Sequence, residues 1–240
     1  MNDFVAIIGG GFSGCMTAAH LLRRATRPVR IWLIEQRDRI GSGAAYSTPF
    51  LGHLLNVPAA RMSALPDEPS HFLQWLKDRG HHTRDDAFMP RSLYGEYIRS
   101  VLSDAEQHAA HGATLRQISA QALDIEDAPG GRLILHLARS ERITVDHVVL
   151  ATGNESPGDV PGIDEASRSS DRYINDPWDA AAIERIGHDD AVLLVGTGLT
   201  MIDVILTLQS RGHVGPIHAI SRHGLLPTEH LKEPLSRPPF

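Results

Sequence analysis

Cysteine is nearly absent from this sequence of 240 residues, which has one, at position 15. That count excludes a disulfide framework, a cysteine-rich zinc site and a Cys-x-x-Cys redox pair. The sequence also lacks any apolar run near the ~18–20 residues that a membrane-spanning helix needs. Its first residues, Met-Asn-Asp, lack the basic region of a signal peptide. We therefore expect a soluble protein of the cytoplasm.

A strong charge of one sign is missing too. The 23 Lys and Arg residues against 29 Asp and Glu residues give a net charge of −6. Nothing in that balance predicts a general attraction to nucleic acid or to an anionic membrane. Apolar residues make up 42% of the chain, enough for one large core or two smaller ones. The expected partner is a small molecule, either a substrate or an electron acceptor, and the oligomeric state stays open.

Near its start the chain follows the order strand, glycine turn, helix, strand. An apolar run at residues 4–8 leads directly into glycines, and a helical pattern starts at Ser13. A second apolar run at residues 29–34 ends at Glu35. This order within about 35 residues is typical of a βαβ unit with buried parallel strands.

The same order returns late in the chain. An apolar strand at residues 191–195 meets a turn at Gly196, a helix is predicted over residues 200–209, and a strand follows at residues 216–221. The two units share their architecture rather than their sequence.

Between the two units, the sequence pattern predicts a loop, two helices and an antiparallel excursion. We predict a loop over residues 41–64, helices over residues 66–80 and 92–112, and strands over residues 114–126, 132–138 and 143–151. The fold class is therefore α/β. A Rossmann-like domain with an antiparallel β excursion would cover residues 1–155, and an incomplete second Rossmann-like domain would cover residues 156–240.

The first glycine turn, Gly-Gly-Gly-Phe-Ser-Gly, fits the GxGxxG pattern of dinucleotide-binding proteins, in the required context of strand, helix and downstream acid. Gly9 permits the tight turn, Gly11 lets a diphosphate approach the backbone, and Gly14 lets the helix pack closely on the strand. The helix N-terminus favours phosphate, and the Glu35 carboxylate can accept ribose hydroxyls. The predicted contacts with a dinucleotide are Gly9, Gly11, Phe12, Ser13, Gly14 and Glu35. The alternative is a glycine turn that binds no ligand.

The second glycine turn, Gly-Thr-Gly-Leu-Thr-Met, has Met201 in place of the third glycine, which predicts looser packing of helix on strand. Glu35 lies 24 residues after Gly11, and the same count from Gly198 reaches Arg222. A base at that position can pair with the 2′-phosphate of NADP(H), and the preceding serine can donate a hydrogen bond to it. The alternative is a surface arginine. The predicted NADP(H) contacts are Gly196, Gly198, Leu199, Thr200, Ser221 and Arg222.

Four stretches together carry a resemblance to a known family. They are residues 7–14, residues 41–47 with 54–59, the Leu-Ala-Thr-Gly sequence at 150–153, and the turn at Gly196. The chain resembles the two-dinucleotide-binding flavoproteins, in particular the bacterial FAD/NAD(P)-binding oxidoreductase family related to N-hydroxylating flavin monooxygenases. The resemblance implies FAD on the first glycine turn with Glu35 on its ribose, and NADP(H) on the second. It places Gly43, Tyr46 and Asn56 along the flavin side, and Thr152 and Gly153 where the chain leaves the FAD domain.

The sequence also departs from this family. Such flavoproteins return to the FAD domain after the NAD(P) domain, with a late Gly-Asp segment near the ribityl chain, and nothing after Arg222 matches it. We expect either a shortened chain or FAD held by fewer contacts.

The leading interpretation is an FAD-dependent, NADPH-using oxidoreductase, monooxygenase-like in type, and the alternative is a non-catalytic dinucleotide-binding regulatory or redox-sensing module. No catalytic acid or base stands out in the sequence. His53, Asn56 and Arg61 are candidates for flavin or substrate contacts, or for hydrogen bonds within their loop. No histidine group has convincing zinc-ligand spacing, so we expect no metal site. Cys15 is expected to pack in the core.

Overall fold

A computed structural model describes residues 3–37 and 39–229, and it divides the chain into two compact units at Asn154/Glu155. Unit 1 contains the strands β1 (Asp3–Ile8), β2 (Val29–Glu35), β3 (Thr114–Ser119), β4 (Ala122–Ala128), β5 (Arg132–Leu137), β6 (Arg142–Val145) and β7 (His147–Leu150). Its helices are α1 (Phe12–Arg24), α2 (His71–Asp78) and α3 (Arg91–Gln107). The chain end at residues 230–240, including the proline-rich tail, lies outside the described residues.

The centre of unit 1 is a parallel four-stranded sheet with the order β3-β2-β1-β7. Alternate side chains of its strands point to opposite faces. One face, with Ile7 and Leu33, packs on the apolar sides of the three helices. The other face, with Ala6 and Ile34, packs on the antiparallel sheet β4-β5-β6. This three-layer arrangement confirms the predicted α/β class and the antiparallel excursion.

Two predicted strands are each divided in the structure, because the chain changes sheets within them. The run predicted over residues 114–126 becomes β3 of the parallel sheet and β4 of the antiparallel sheet. The run predicted over residues 143–151 becomes β6 and β7, and Asp146 lies at the crossing. Its carboxylate accepts a hydrogen bond from the backbone N–H of Phe4 at 2.8 Å, which lowers the pKa of that carboxyl below its ordinary value.

The two predicted helices of unit 1 are shorter than expected. The helix predicted over residues 66–80 begins only at His71, because Pro66 and Pro69 lie in turns before it. The helix predicted over residues 92–112 ends at Gln107, and His111 and Gly112 then take positive φ angles of 49° and 74°. The helix is capped at His108, and the left-handed backbone belongs to the turn that follows it.

Unit 2 contains α4 (Glu165–Arg168), α5 (Ala180–Glu184), β8 (Val192–Val195), α6 (Leu199–Ser210) and β9 (Ile217–Ile220). The strands β8 and β9 pair in parallel, and α6 connects them as the predicted crossover helix. A small core around Ile183, Val204 and Leu208 holds α5 and α6 together. Within the part of the chain that the structure describes, no helix is long and apolar enough to cross a membrane.

Candidate functional site

The first glycine turn packs against two other parts of unit 1. Gly9 has a φ of 104°, and its N–H donates to the Ile34 carbonyl at 2.8 Å. A Cβ on Gly9 would lie 2.2 Å from the carbonyl oxygen of Ala151, and a Cβ on Gly14 would lie 1.8 Å from the carbonyl oxygen of Gly9. The tight turn and the close packing of helix on strand are therefore present at the predicted positions, and neither glycine has room for a side chain.

Gly11 faces a second glycine from a distant loop. Gly11 is the N-cap of α1, and a Cβ on it would meet only the Cα of Gly43, at 3.6 Å. Gly43 has a φ of 51°, and its own Cβ would lie 3.3 Å from the Cα of Gly11. We call this pair of opposed backbones the glycine cradle. Side chains at either position would fill the space between them.

The N-terminus of α1 lies at the glycine cradle and has backbone N–H groups without a hydrogen-bond acceptor among the described residues. Among the described residues, nothing accepts a hydrogen bond from the backbone N–H groups of Phe12 or Ser13, and the first turn holds no acidic side chain. Free N–H groups and the helix dipole favour an anion at this end. The free donors at this helix end, beside two glycines that leave the backbone uncovered by side chains, fit a diphosphate.

Glu35 holds a buried carboxylate in a fixed orientation at the end of β2. Its Oε2 accepts from the Gly10 N–H at 2.8 Å, and its Oε1 accepts from the Arg37 N–H at 2.9 Å. Each oxygen keeps acceptor capacity for a ligand hydroxyl. Gly10, which the GxGxxG pattern leaves unspecified, is also required, because its Cβ would lie 2.9 Å from the Cβ of Glu35. The signal in the sequence was the glycine at position 10, in the middle of the run at residues 9–11.

An aromatic group links Phe12 to Tyr46. The Phe12 ring stacks on Tyr94 with 6.2 Å between ring centroids, and Tyr46 meets the same ring edge-on at 4.9 Å. Burial raises the pKa of both tyrosines above the ordinary value. Gly95 allows this packing, since its Cβ would lie 3.2 Å from the Tyr46 carbonyl oxygen. The sequence predicts a helix over residues 92–112, and that pattern gives no sign that Tyr94 or Gly95 takes part in this site.

The segment after β7 lies beside the first glycine turn. The Ala151 N–H donates to the Ile8 carbonyl at 2.8 Å, and a Cβ on Gly9 would lie 3.3 Å from the Cα of Thr152. Gly153 follows with a φ of 77°, and both Thr152 and Gly153 are exposed. The structure thus brings this segment to the first glycine turn, next to the residues of the glycine cradle.

The loop around Asn56 is anchored elsewhere. The Leu55 N–H donates to the Met89 carbonyl at 2.9 Å, and no hydrogen bond among the described residues joins Asn56 to the glycine cradle. His53 is buried, and its Nδ1 lies 2.7 Å from the Thr48 hydroxyl of the same loop. Arg61 is exposed.

Cys15 packs in the core, as expected. Its thiol donates to the Gly10 carbonyl at 3.2 Å, and burial raises the pKa of that thiol to about 12. A thiol with so high a pKa is a poor nucleophile near neutral pH. In residues 3–37 and 39–229, no three His, Cys, Asp or Glu side chains are grouped to hold a metal ion.

The second glycine turn repeats the backbone geometry of the first, within unit 2. Gly196 has a φ of 116°, and its N–H donates to the Ile220 carbonyl at 2.7 Å. Gly198 is the N-cap of α6, and Leu199 and Thr200 are exposed. A Cβ on Gly196 or Gly198 would meet nothing within 4 Å, and Met201 is buried where unit 1 has its third glycine. The open surroundings of Gly196 and Gly198 contrast with the crowding of the first turn.

The strand register corrects one step of the sequence analysis. Ile34 and Ile220 accept the equivalent hydrogen bonds from Gly9 and Gly196, so the residue that corresponds to Glu35 is Ser221. Arg222 lies one residue beyond, and the count of 24 residues was wrong by one because α6 has 12 residues where α1 has 13. The Ser221 hydroxyl accepts from the Gly224 N–H at 3.0 Å, and Arg222 is exposed.

Comparison with protein families gives a match over residues 6–155 to the family model described as FAD-NAD(P)-binding. A Baeyer-Villiger monooxygenase of Streptomyces coelicolor is 25% identical over 232 residues, which cover 91% of this chain and 34% of that protein. Monooxygenase ptmN of Penicillium ochrochloron is 23% identical over 207 residues, covering 83% of this chain and 31% of that protein. The chain thus spans about a third of the length of the curated relatives it matches.

Solved structures share the fold at low sequence identity. The ornithine N-hydroxylase of Kutzneria sp. 744, in a complex with reduced FAD, NADP⁺ and L-ornithine, matches with a TM-score of 0.62 and 18% identity. That match covers 92% of this chain and 53% of the hydroxylase. OTEMO in complex with FAD and NADP matches with a TM-score of 0.60 and 16% identity, covering 92% of this chain and 39% of OTEMO.

Proposed function

This chain belongs to the FAD-NAD(P)-binding family, and from that premise we propose that it binds FAD and NADP(H) as part of an FAD-dependent, NADPH-using oxidoreductase of the monooxygenase type. In this proposal residues 1–155 form the FAD domain and residues 156–240 form an NADP(H) domain. The observation that carries the proposal is the glycine cradle, two side-chain-free backbones opposed at the N-terminus of α1.

The adenosine diphosphate half of FAD fits the residues of unit 1. Its diphosphate would lie at the N-terminus of α1, beside the contact between Gly11 and Gly43 and within reach of the free N–H groups of Phe12 and Ser13. The oriented carboxylate of Glu35 would accept the ribose hydroxyls. We assign Tyr46, Asn56, Thr152 and Gly153 to the rest of the cofactor, in line with the family resemblance.

NADP(H) would bind the second glycine turn. Gly196, Gly198, Leu199 and Thr200 would face its diphosphate, because they form the turn and the first residues of α6. A hydroxyl, Ser221, stands where unit 1 has a carboxylate, so the repulsion of a 2′-phosphate is removed. The adjacent Arg222 adds a bidentate positive partner for that phosphate.

FAD, when bound, supplies the redox chemistry, taking up reducing equivalents from NADPH and passing them to oxygen or another acceptor. The residues of this chain bind, orient and shield the cofactor, and none of them is assigned as a catalytic acid or base. The curated relatives are named as monooxygenases, which favours an enzyme over the non-catalytic module.

A visible spectrum tests the proposal. Protein incubated with FAD and freed of excess cofactor should keep a yellow flavin spectrum. Anaerobic NADPH should bleach that spectrum, and NADH should do so far more slowly. Protein that retains no FAD would end the flavoenzyme proposal. Retained FAD that neither nucleotide reduces would favour the non-catalytic module.

A further inference from the structure

Arg99, on α3, supports the loop that forms one side of the glycine cradle. Its Nη1 donates to the hydroxyl of buried Ser42 at 3.0 Å and makes a longer contact of 3.5 Å with the Ile40 carbonyl. Its alkyl stem packs under Gly41, where a Cβ would lie 2.7 Å from the Arg99 Cγ. Position 41 therefore has to be glycine for the loop to pack against the Arg99 side chain.

The loop is fixed to the first glycine turn from its other side. The Gly41 N–H donates to the Gly10 carbonyl at 2.6 Å, and Gly43 then lies opposite Gly11. Arg99 and the first glycine turn therefore hold the same short segment between them. Any shift of that segment would change the width of the glycine cradle.

The charge of Arg99 lacks an anionic partner. Among the described residues, no carboxylate lies within ion-pair distance of its guanidinium, whose two acceptors are neutral. The more exposed Arg23 of unit 1, by contrast, has its Nη2 3.5 Å from Asp104 Oδ2 and 3.8 Å from Glu68 Oε1. A partly buried cation without an anion is unfavourable, and a bound anion nearby offsets that cost.

The field of Arg99 also reaches the first turn of α1. Burial is the main influence on the Cys15 thiol and raises its pKa to about 12; a backbone hydrogen bond at Gly41 lowers that pKa, the negative charge of Glu35 raises it, and the positive charge of Arg99 lowers it more weakly. Cys15 lies on the same helix turn as the free N–H groups that face the glycine cradle. The positive charge is thus close enough to act on an anion bound there.

We propose that Arg99 is a positioning residue for the FAD diphosphate, which holds residues 40–43 against the first glycine turn and supplies the positive charge that the diphosphate needs. This inference rests on the proposed FAD site. Neither the GxGxxG pattern nor the family resemblance pointed to this residue, because it lies on a helix remote in sequence from both glycines.

The test compares neutral and charged replacements of this one side chain. Arg99→Met keeps the alkyl stem, Arg99→Gln can keep the hydrogen bond to Ser42, and Arg99→Lys keeps the charge. Arg79→Met is the matched control, because it removes an arginine of unit 1 that lies over the Trp75 ring instead. FAD affinity is measured on the apoprotein by quenching of flavin fluorescence, at low and at high salt.

We expect Arg99→Met and Arg99→Gln to weaken FAD binding about tenfold at low salt, and to make it less sensitive to salt. Arg99→Lys should stay within about threefold of the wild type, because it keeps the charge, and Arg79→Met should bind like the wild type. ADP, which carries the diphosphate, should lose affinity in the neutral variants, whereas adenosine, which lacks it, should not.

Three outcomes would overturn the inference. Unchanged FAD affinity in both neutral variants removes Arg99 from the site while leaving the FAD proposal intact. An equal loss for ADP and adenosine shows that the variants act only through the fold. Wild-type protein that takes up no FAD ends the proposed function, and the inference fails with it. If Arg99→Met does not fold, Arg99→Gln decides the result alone.

Discussion

The two glycine turns have the same local geometry and very different surroundings. In both, the first glycine has a positive φ and donates its N–H to the neighbouring strand, at 2.8 Å from Gly9 and 2.7 Å from Gly196. In both, the second glycine caps a helix. Around the first turn, however, backbone from two distant segments approaches to contact distance, whereas Cβ atoms on Gly196 and Gly198 would meet nothing within 4 Å. Local sequence thus forms the turn, and only the tertiary structure encloses it.

The strands beside the two turns differ in the same way. Ile7 and Ile31 of unit 1 are fully buried, since helices cover one face of their sheet and an antiparallel sheet covers the other. In unit 2, Leu193 and Val195 are 58% and 57% exposed. Both apolar runs predicted a buried parallel strand, and the structure bears this out fully only where two layers pack on the sheet.

The largest expected effect tests the crowding of the first turn. Gly14→Ala should lower the free energy of unfolding of unit 1 by more than about 3 kcal/mol, because its Cβ would lie 1.8 Å from a backbone carbonyl oxygen. Gly198→Ala, in the open turn, should cost less than about 1 kcal/mol. Urea unfolding followed by tryptophan fluorescence reports unit 1 through Trp32 and Trp75 in a Trp178→Phe background, and it reports unit 2 through the signal that Trp178 adds when it is present. Similar costs for both variants would contradict the contrast between the turns.

The next prediction concerns binding rather than folding. Gly11→Ala should fold normally, since its Cβ would lie at an ordinary 3.6 Å from Gly43. The methyl group would cover the backbone that the diphosphate must approach, and we expect FAD affinity to fall about a hundredfold, or about 2.7 kcal/mol. Titration of the apoprotein with FAD measures the change, and Gly198→Ala is the control that should keep wild-type FAD affinity. Tight FAD binding by Gly11→Ala would place the cofactor elsewhere.

A third prediction uses the register difference between the two units. Arg222→Ala should weaken NADPH binding about tenfold, or about 1.4 kcal/mol, because it removes the partner of the 2′-phosphate. NADH affinity should change little. Isothermal titration with each nucleotide gives both values, and equal losses would remove Arg222 from the 2′-phosphate.

Ser221→Glu sharpens that test. It places in unit 2 the acid that unit 1 has at the equivalent position, Glu35. Repulsion of the 2′-phosphate should shift the preference from NADPH toward NADH. A variant that still prefers NADPH as strongly as the wild type would show that Ser221 does not face the ribose.

The smallest expected effect is a loss of stability of unit 1 at alkaline pH. Burial raises the pKa of the Cys15 thiol from 9.0 to about 12, so the folded state keeps its proton to higher pH than the unfolded state does. The stability that this thiol contributes is complete below pH 9 and is lost as the pH rises toward 12. The gap in unfolding free energy between the wild type and Cys15→Ala should therefore narrow by about 1 kcal/mol from pH 8 to pH 10. Urea midpoints at the two pH values measure it, and a constant gap would contradict the assignment.

Local sequence determined the strand, glycine turn and helix of each unit, together with the acid at Glu35. These features depend on residues within one βαβ unit, where hydrophobic period, glycine and helix capping act over a few positions. The run of three glycines also includes Gly10, which has to be glycine because Glu35 packs against it. The family resemblance also placed Gly43 near the cofactor, although it could not place it opposite Gly11.

Only the tertiary structure decided the rest. The chain passes from the parallel sheet to the antiparallel sheet between β3 and β4, and it returns at Asp146. The packing of the layers decides where these crossings lie, and a continuous apolar run in the sequence does not reveal them. The register that pairs Ser221 with Glu35 depends on the length of a connection that sequence counting misjudged by one residue. Gly95 and Arg99 lie on a segment whose pattern predicted only a helix, and their importance comes from the distant loop that packs against them. Contacts between segments far apart in sequence are set by packing, and no local pattern encodes them.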